Sequence, residues 1–144
     1  MRVDESVTIA VPREKVWPWV CDASQAAKFM HNVHVAPVEG EPRTGSRARF
    51  RLWMTVGSAE IGGVVEVTEF DPPHEIAWTS ITGIDQRGRW LLRERGRLTE
   101  ATFRLSYQVP GGVMALIADR IGSRAVRRNV KQSLSALKRM LEVR

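Results

Sequence analysis

The chain has 144 residues, of which 43% are hydrophobic and 26% charged, and it carries a net charge of +6. This size and composition predict one folded domain, and no apolar run approaches the roughly 18 residues of a membrane-spanning helix. The N-terminus lacks the long apolar segment of a signal peptide, so we expect a cytoplasmic protein. The only cysteine, Cys21, lies among large apolar residues and is predicted to be a buried structural residue.

The N-terminal part is predicted to form one strand followed by two short helices. Residues 3–11 alternate apolar with small or polar side chains, which is typical of a strand. Residues 12–22 favour a helix that begins at a proline, and Pro18 inside it predicts either a kink there or a second short helix that begins nearby. Residues 23–32 favour the second short helix.

The middle of the chain is predicted to be a run of six strands, because its apolar period changes to two and turn residues interrupt it. The six strands are residues 33–40, 47–57, 60–70, 74–81, 87–95 and 97–109. Their short connections indicate that successive strands pair antiparallel. Pro37 marks the first of the six as an edge or bulged strand.

The C-terminal part is predicted to be one long helix over residues 113–143, about 45 Å in length. Leucines and valines at helical spacing form an apolar stripe on it, and this helix is the only predicted element large enough to cover the apolar face of the sheet. Gly122 would lie in its middle, at a cost of up to about 1 kcal/mol. Close approach to the sheet or room for a ligand could each offset that cost.

A pair of prolines interrupts the sheet pattern in the stretch FDPPHEIAWTS, residues 70–80. Asp71, Pro72 and Pro73 are predicted to end one strand in a rigid turn, because proline cannot donate to a sheet ladder. Ile76 and Trp78 of the following strand should then point to the same face.

This stretch also carries a resemblance. A strand that ends in FDPP and is followed by a Trp resembles the polyketide cyclase/dehydrase and lipid-transport superfamily (START and birch-pollen-allergen-like proteins, SRPBCC). The opening VTIAVPREKVWPWVCDASQAAKFMHNV, the stretch GSRARFRL and the long C-terminal helix are similar to that family too. The resemblance covers essentially the whole chain.

The resemblance implies an α+β helix-grip fold, formed by residues 1–144 as a single START-like ligand-binding domain. A curved seven-stranded antiparallel sheet would wrap around the long C-terminal helix, with two short helices between strands 1 and 2. It further implies a cavity between sheet and helix for a small hydrophobic molecule such as a lipid or polyketide. A minority of the family catalyses cyclisation or dehydration.

Large apolar side chains that the predicted elements direct inward are the candidates for contact with such a ligand. They are Phe29, Met30, Trp53, Trp78, Trp90, Tyr107, Met114, Ile117 and Ile121. For each of them core packing is the competing interpretation, since aromatic residues and methionines at these spacings are more often core than ligand contacts. As a set they favour a pocket, because ligand pockets are mostly apolar and aromatic.

The sequence shows no recognisable catalytic or metal-binding motif, so we expect no metal and no cofactor. His31, Asn32 and His34 could present polar groups at a cavity mouth, although surface histidines are the simpler interpretation. Glu94, Arg104 and Tyr107 could meet inside the cavity if the strand register allows. The sequence identifies no catalytic residues.

Basic residues are concentrated on the predicted C-terminal helix and share a broad face of it. They are Arg120, Arg124, Arg127, Arg128, Lys131, Lys138 and Arg139. A solvated helix back is the simpler interpretation, and transient contact with an anionic membrane is the alternative. Nucleic acid is disfavoured, because the helix lacks interleaved aromatic residues.

Three hypotheses for function follow. The leading one is a non-enzymatic or weakly catalytic binding protein for a small hydrophobic molecule. The second is a polyketide cyclase or dehydratase, which requires convergent titratable groups in the cavity with perturbed pKa values. The third is a basic interaction module for nucleic acid or an acidic partner, which requires a filled core and salt-sensitive binding.

Overall fold

The computed structural model describes residues 1–56, 59–109, 111–112 and 122–143. A seven-stranded antiparallel sheet has the order β1-β7-β6-β5-β4-β3-β2. Its strands are β1 Arg2–Ile9, β2 His34–Pro37, β3 Arg49–Val56, β4 Ala59–Asp71, β5 Glu75–Ser80, β6 Asp85–Arg95 and β7 Leu98–Gln108. Helices α1 Arg13–Val20 and α2 Ala23–Ala26 lie between β1 and β2, and α3 Ser123–Glu142 follows the sheet. The helix-grip α+β fold predicted from the sequence is confirmed.

Helix α1 continues through Pro18, and a second short helix begins nearby, which was one of the two alternatives considered. The helix ends at Val20, and a second helix starts only after Asp22, whose carboxylate accepts a hydrogen bond from the Ser24 N–H at 2.7 Å. Pro18 is the sixth residue of this eight-residue helix, so its missing N–H removes only one bond near the end. Helix α2 is four residues long, shorter than the ten predicted.

The C-terminal helix begins later than predicted. Gly122 has an extended backbone (φ −62°, ψ 156°) and is the N-cap of α3, so the prediction that Gly122 lies inside one continuous helix is wrong. Glycine is well suited to an N-cap, which removes the helix-interior cost attributed to it. Met114, Ile117 and Ile121 lie outside the described residues. No helix in the described part of the chain has the length and hydropathy to cross a membrane.

Helix α3 presents its apolar stripe to the concave face of the sheet. Val126, Val130, Leu134 and Leu137 recur at three- and four-residue spacing and are each at most 2% exposed. Burial of such side chains contributes roughly 1.5–3 kcal/mol each. Polar contacts fix the helix end, since Lys138 Nζ donates to the Thr8 carbonyl at 2.6 Å. The helix therefore packs along β1 and closes one side of the concave face.

Trp78 occupies the middle of that concave face and depends on a glycine opposite it. Trp78 of β5 pairs with Gly88 of β6, and a Cβ atom on Gly88 would overlap the indole ring. The indole packs against Phe50 and Phe103 with ring centroids 5.8 and 5.9 Å apart. Its Nε1–H is buried without an acceptor among the described residues, so ring packing alone holds the side chain. As predicted, Trp78 and Ile76 both lie inside.

The outer face of the sheet is charged and open to solvent. Arg89 donates to Glu69 at 2.7 Å and to Glu75 at 2.6 Å, and Arg104 bonds Asp4 at 3.1 Å. Pairs of this exposure contribute between zero and about 1 kcal/mol each. Their main consequence is that the two faces of the sheet differ in polarity. The charged face is exposed to water, and the apolar face packs in the core.

Replacement of Gly88 by alanine should destabilise the protein by about 1–3 kcal/mol, because the added methyl group displaces the Trp78 indole in a packed core. Chemical denaturation followed by tryptophan fluorescence measures the change. Gly111→Ala is the matched control, since Gly111 is exposed and nothing lies within 4 Å of its added Cβ. Equal stabilities of the two variants would contradict this account of Trp78.

Candidate functional site

A cavity of about 50 Å³ lies between the sheet and α3, at one end of the sheet. That end gathers the end of β3, the start of β4, the start of β6 and the end of β7. Apolar side chains dominate its wall, among them Met54, Ile61, Ile84, Leu105, Val126 and Val130. The cavity is therefore suited to an apolar body, although at this size it is far smaller than the roughly 300–1,000 Å³ of most ligand pockets.

A second cavity of about 30 Å³ lies deeper in the core and shares part of its wall with the first. Met30, Leu52 and Phe103 contact both cavities, whereas Cys21, Trp78 and Trp90 line only the deeper one. Methionine has three rotatable bonds and adapts its shape at low cost. A change in the Met30 side chain is the simplest way in which the two cavities could join into a larger pocket.

Three glycines allow two backbone segments beside the larger cavity to approach each other closely. A Cβ on Gly83, in the β5–β6 loop, would overlap the backbone of Gly62 in β4, and a Cβ on Gly63 would overlap the backbone of Thr82. Gly62 has φ +151° and Gly83 has φ +80°, which other residues adopt with strain. In this close approach the Ile84 N–H donates to the Gly62 carbonyl at 3.3 Å, and Ile84 lines the cavity.

Polar groups in the described wall of the larger cavity are few and uncharged. Gln86 is 4% exposed, and its Nε2 donates to the Leu52 carbonyl at 3.3 Å. Ser133 Oγ donates to the Asn129 carbonyl at 2.9 Å and accepts from the His31 N–H at 2.6 Å. Tyr107 lies directly opposite Gln86 across the β6–β7 pair. The wall thus contains amide and hydroxyl groups in an apolar surrounding.

Among the residues that the structure describes, two titratable groups line the two cavities, and burial disfavours the ionised form of both. Burial raises the pKa of Tyr107 to about 12, and its hydroxyl donates to Met1 Sδ at 3.3 Å. Burial also raises the pKa of the Cys21 thiol, and a hydrogen bond to Thr44 opposes this rise only in part. Both groups are therefore neutral at physiological pH, which makes neither a ready base or nucleophile.

The predicted contact residues fall into three groups. Met30, Trp53 and Tyr107 line the larger cavity, and Met30, Trp78 and Trp90 line the deeper one. Phe29 lies behind the deeper cavity with its ring edge-on to Trp90 at 5.9 Å. Contact of these residues with a ligand stays a prediction, as it does for Met114, Ile117 and Ile121.

Trp53 differs from the other aromatic candidates because it lies one residue out of phase with Leu52 and Met54, on the face of β3 that Arg51 occupies. It stacks on His34 at 5.2 Å, and the Arg51 guanidinium lies 4.6 Å from its centroid. His34 and Trp53 are paired across β2 and β3. His34 is thus engaged at the edge of the sheet, while His31 and Asn32 bind α3 through Ser133 and Asn129.

The predicted meeting of Glu94, Arg104 and Tyr107 does not occur. Arg104 and Tyr107 lie an odd number of residues apart on β7, so their side chains point to opposite faces, and Arg104 binds Asp4 outside. Glu94 is at the far end of β6, 3.7 Å from Arg13. Among the described residues no group of three His, Cys, Asp or Glu side chains could hold a metal ion.

Gln86 and Ser133 are polar residues of the described wall that the sequence predictions did not include, and Gln86 could have been found. It shares the inward positions of β6 with Gly88, Trp90 and Leu92, each two residues apart. Two-residue periodicity counted back from Trp90 would have placed Gln86 inside. The strand was predicted to begin one residue later, at position 87, so Gln86 was assigned to the preceding loop.

A match over residues 1–142 connects this chain to a family model described as polyketide cyclase / dehydrase and lipid transport. The chain belongs to this family. The resemblance inferred from its sequence motifs is therefore confirmed. No curated protein is similar enough to count as a match.

Solved structures with the same fold include three that span nearly the whole chain. TTHA0849 from Thermus thermophilus has a TM-score of 0.79 and 19% identity, with 98% of this chain and 97% of that one covered. DR_A0006 from Deinococcus radiodurans has a TM-score of 0.73, 23% identity and 99% and 98% coverage. The Zhui aromatase/cyclase from Streptomyces sp. R1128 has a TM-score of 0.74, 19% identity and 99% and 93% coverage. At these identities the likeness shows the fold.

Tyr107 is the only tyrosine in the chain, so its ionisation can be followed by absorbance without overlap from another phenol. The midpoint should lie near pH 12 in the folded protein and near about pH 10 in urea. Because the folded pKa is the higher one, the stabilisation is complete below about pH 10 and is lost as the pH rises towards 12. A folded-state midpoint near pH 10 would place the Tyr107 hydroxyl in water.

Proposed function

We propose that this protein binds a small hydrophobic molecule, such as a lipid or a polyketide-like compound, between the sheet and α3. The observation that carries the proposal is the apolar cavity whose wall is shared by β3, β4, β6, β7 and α3. Membership of the polyketide cyclase / dehydrase and lipid transport family supports it, because the family's description covers both kinds of molecule.

The small size of the two cavities implies that a ligand enters by displacing side chains. Met30 and Met54 line the larger cavity and are only half-buried, so their displacement costs less than that of Leu52 or Phe103. Binding then exchanges contacts between methionine and the wall for contacts between ligand and the wall. The apolar area removed from water on the ligand supplies the net driving force.

Binding is favoured over catalysis by the chemistry of the described wall. A cyclase or dehydratase was expected to bring together titratable groups with pKa values suited to proton transfer. The described residues supply Tyr107 and Cys21, whose pKa values both move away from neutral pH. A basic interaction module was expected to have a filled core, and the cavities disfavour it.

Contact with an anionic membrane through α3 stays a prediction. Arg124, Arg128, Lys131 and Arg139 are exposed on the helix, whereas Arg127 pairs with Glu5 at 3.1 Å. The apolar stripe of the helix is buried against the sheet, so this surface offers charge without apolar residues to insert.

A larger side chain in the wall of the cavity should block binding. Leu105→Trp places an indole in the cavity and should weaken the binding of a neutral fluorescent probe, N-phenyl-1-naphthylamine, by about tenfold or more. Leu98→Trp is the matched control on the same strand, because Leu98 is 41% exposed and lies at the other end of β7. Fluorescence titration measures both affinities.

Two outcomes of these titrations would contradict the proposal. Equal binding by Leu105→Trp and the wild-type protein would place the probe elsewhere. Absence of binding to the wild-type protein itself would contradict a hydrophobic binding site of this kind. Circular dichroism and thermal unfolding confirm that each variant is folded before it is compared.

A further inference from the structure

Gln86 is the one side-chain amide in the described wall of the larger cavity, and its orientation is fixed by chemistry. The Leu52 carbonyl can only accept a hydrogen bond, so the amide atom that faces it at 3.3 Å has to be Nε2. The Gln86 backbone is held as well, because its N–H donates to Ser80 Oγ at 3.2 Å. The amide oxygen, Oε1, is consequently the end that is turned away from β3.

The structure shows no hydrogen-bond partner for Gln86 Oε1 among the described residues. Gln86 is 4% exposed and lines the cavity, so this acceptor lies in an apolar surrounding. Oε1 is not one of the fully buried polar atoms that lack a partner, so it keeps accessible surface and a donor on a bound ligand can reach it. The Gln86 amide oxygen is thus available to accept a hydrogen bond from a ligand.

The neighbours of Gln86 determine which donors fit. Tyr107, opposite it, is neutral below a pKa of about 12, and the proton of Ser133 Oγ is already engaged with the Asn129 carbonyl. No lysine, arginine or histidine side chain is among the described residues of the cavity wall. A carboxylate or phosphate would therefore find no counter-charge among these described residues, and desolvating an unpaired charge is costly.

We infer that Gln86 determines ligand specificity by accepting, at Oε1, a hydrogen bond from a neutral hydroxyl or N–H group on an otherwise apolar ligand. The inference rests on the proposed function and narrows it to a class of ligand, one with an uncharged donor. The described wall disfavours a ligand that places a carboxylate at this position, such as a free fatty acid with its carboxylate inside.

A matched pair of small aromatic probes tests the inference. 2-Naphthol and 2-methylnaphthalene have nearly the same shape, but only the first can donate to Gln86. The ratio of their dissociation constants, measured by ligand-observed NMR, should shift by about 3- to 10-fold against 2-naphthol on Gln86→Met. Gln86→Leu is the second variant, and Gln108→Leu, at an exposed position on β7, is the control that should leave the ratio unchanged.

Each outcome decides one point. An unchanged ratio in Gln86→Met and Gln86→Leu would overturn the role of Gln86 and leave the proposed binding function intact. Tight binding of 2-naphthoate by the wild-type protein would overturn the preference for uncharged ligands. Failure of the wild-type protein to bind either neutral probe would contradict the proposed function, and the inference with it.

Discussion

The apolar concave face of the seven-stranded sheet has to be kept from water largely by one helix. Helix α3 has 20 residues, about 30 Å in length, and it packs mainly along β1. Helices α1 and α2 cover part of the remainder, near β6 and β2. The larger cavity lies where the sheet meets Val126, Val130 and Ser133 of α3, and the deeper one lies beside α1 and α2. The candidate site thus lies at the junctions between the sheet and its described helices.

Aromatic packing keeps that partly covered face from collapsing. Trp78 lies over Gly88 and between Phe50 and Phe103, and Trp90 packs on Phe103 at 4.9 Å. Large rigid rings fill the centre of the face, while the flexible methionines lie at its edge. The aromatic side chains are thus held rigidly by packing, whereas the methionine side chains can change conformation. A protein that binds ligands larger than its empty cavity needs both properties.

Local patterns were sufficient to predict the seven strands, the edge position of β2 and the inward direction of Trp78. Sequence reasoning failed where the outcome depended on backbone conformation or on register between strands. The extended conformation of Gly122, which starts α3, is not visible in an apolar stripe that continues on both sides of it. Tyr107 and Gln86 meet because of the β6–β7 register, and Glu94 is separated from them for the same reason. Long-range pairing of this kind leaves no local signal in the sequence.

The central claim is that a neutral apolar ligand occupies the cavity between the sheet and α3. Methyl NMR of the wild-type protein, titrated with N-phenyl-1-naphthylamine, tests it most directly. The account predicts that the resonances of Leu105, Val126 and Val130 shift, while those of the exposed Leu98 and Val143 do not. Shifts confined to Leu98, Val143 or other exposed methyl groups, or no shifts at saturating probe, would contradict it.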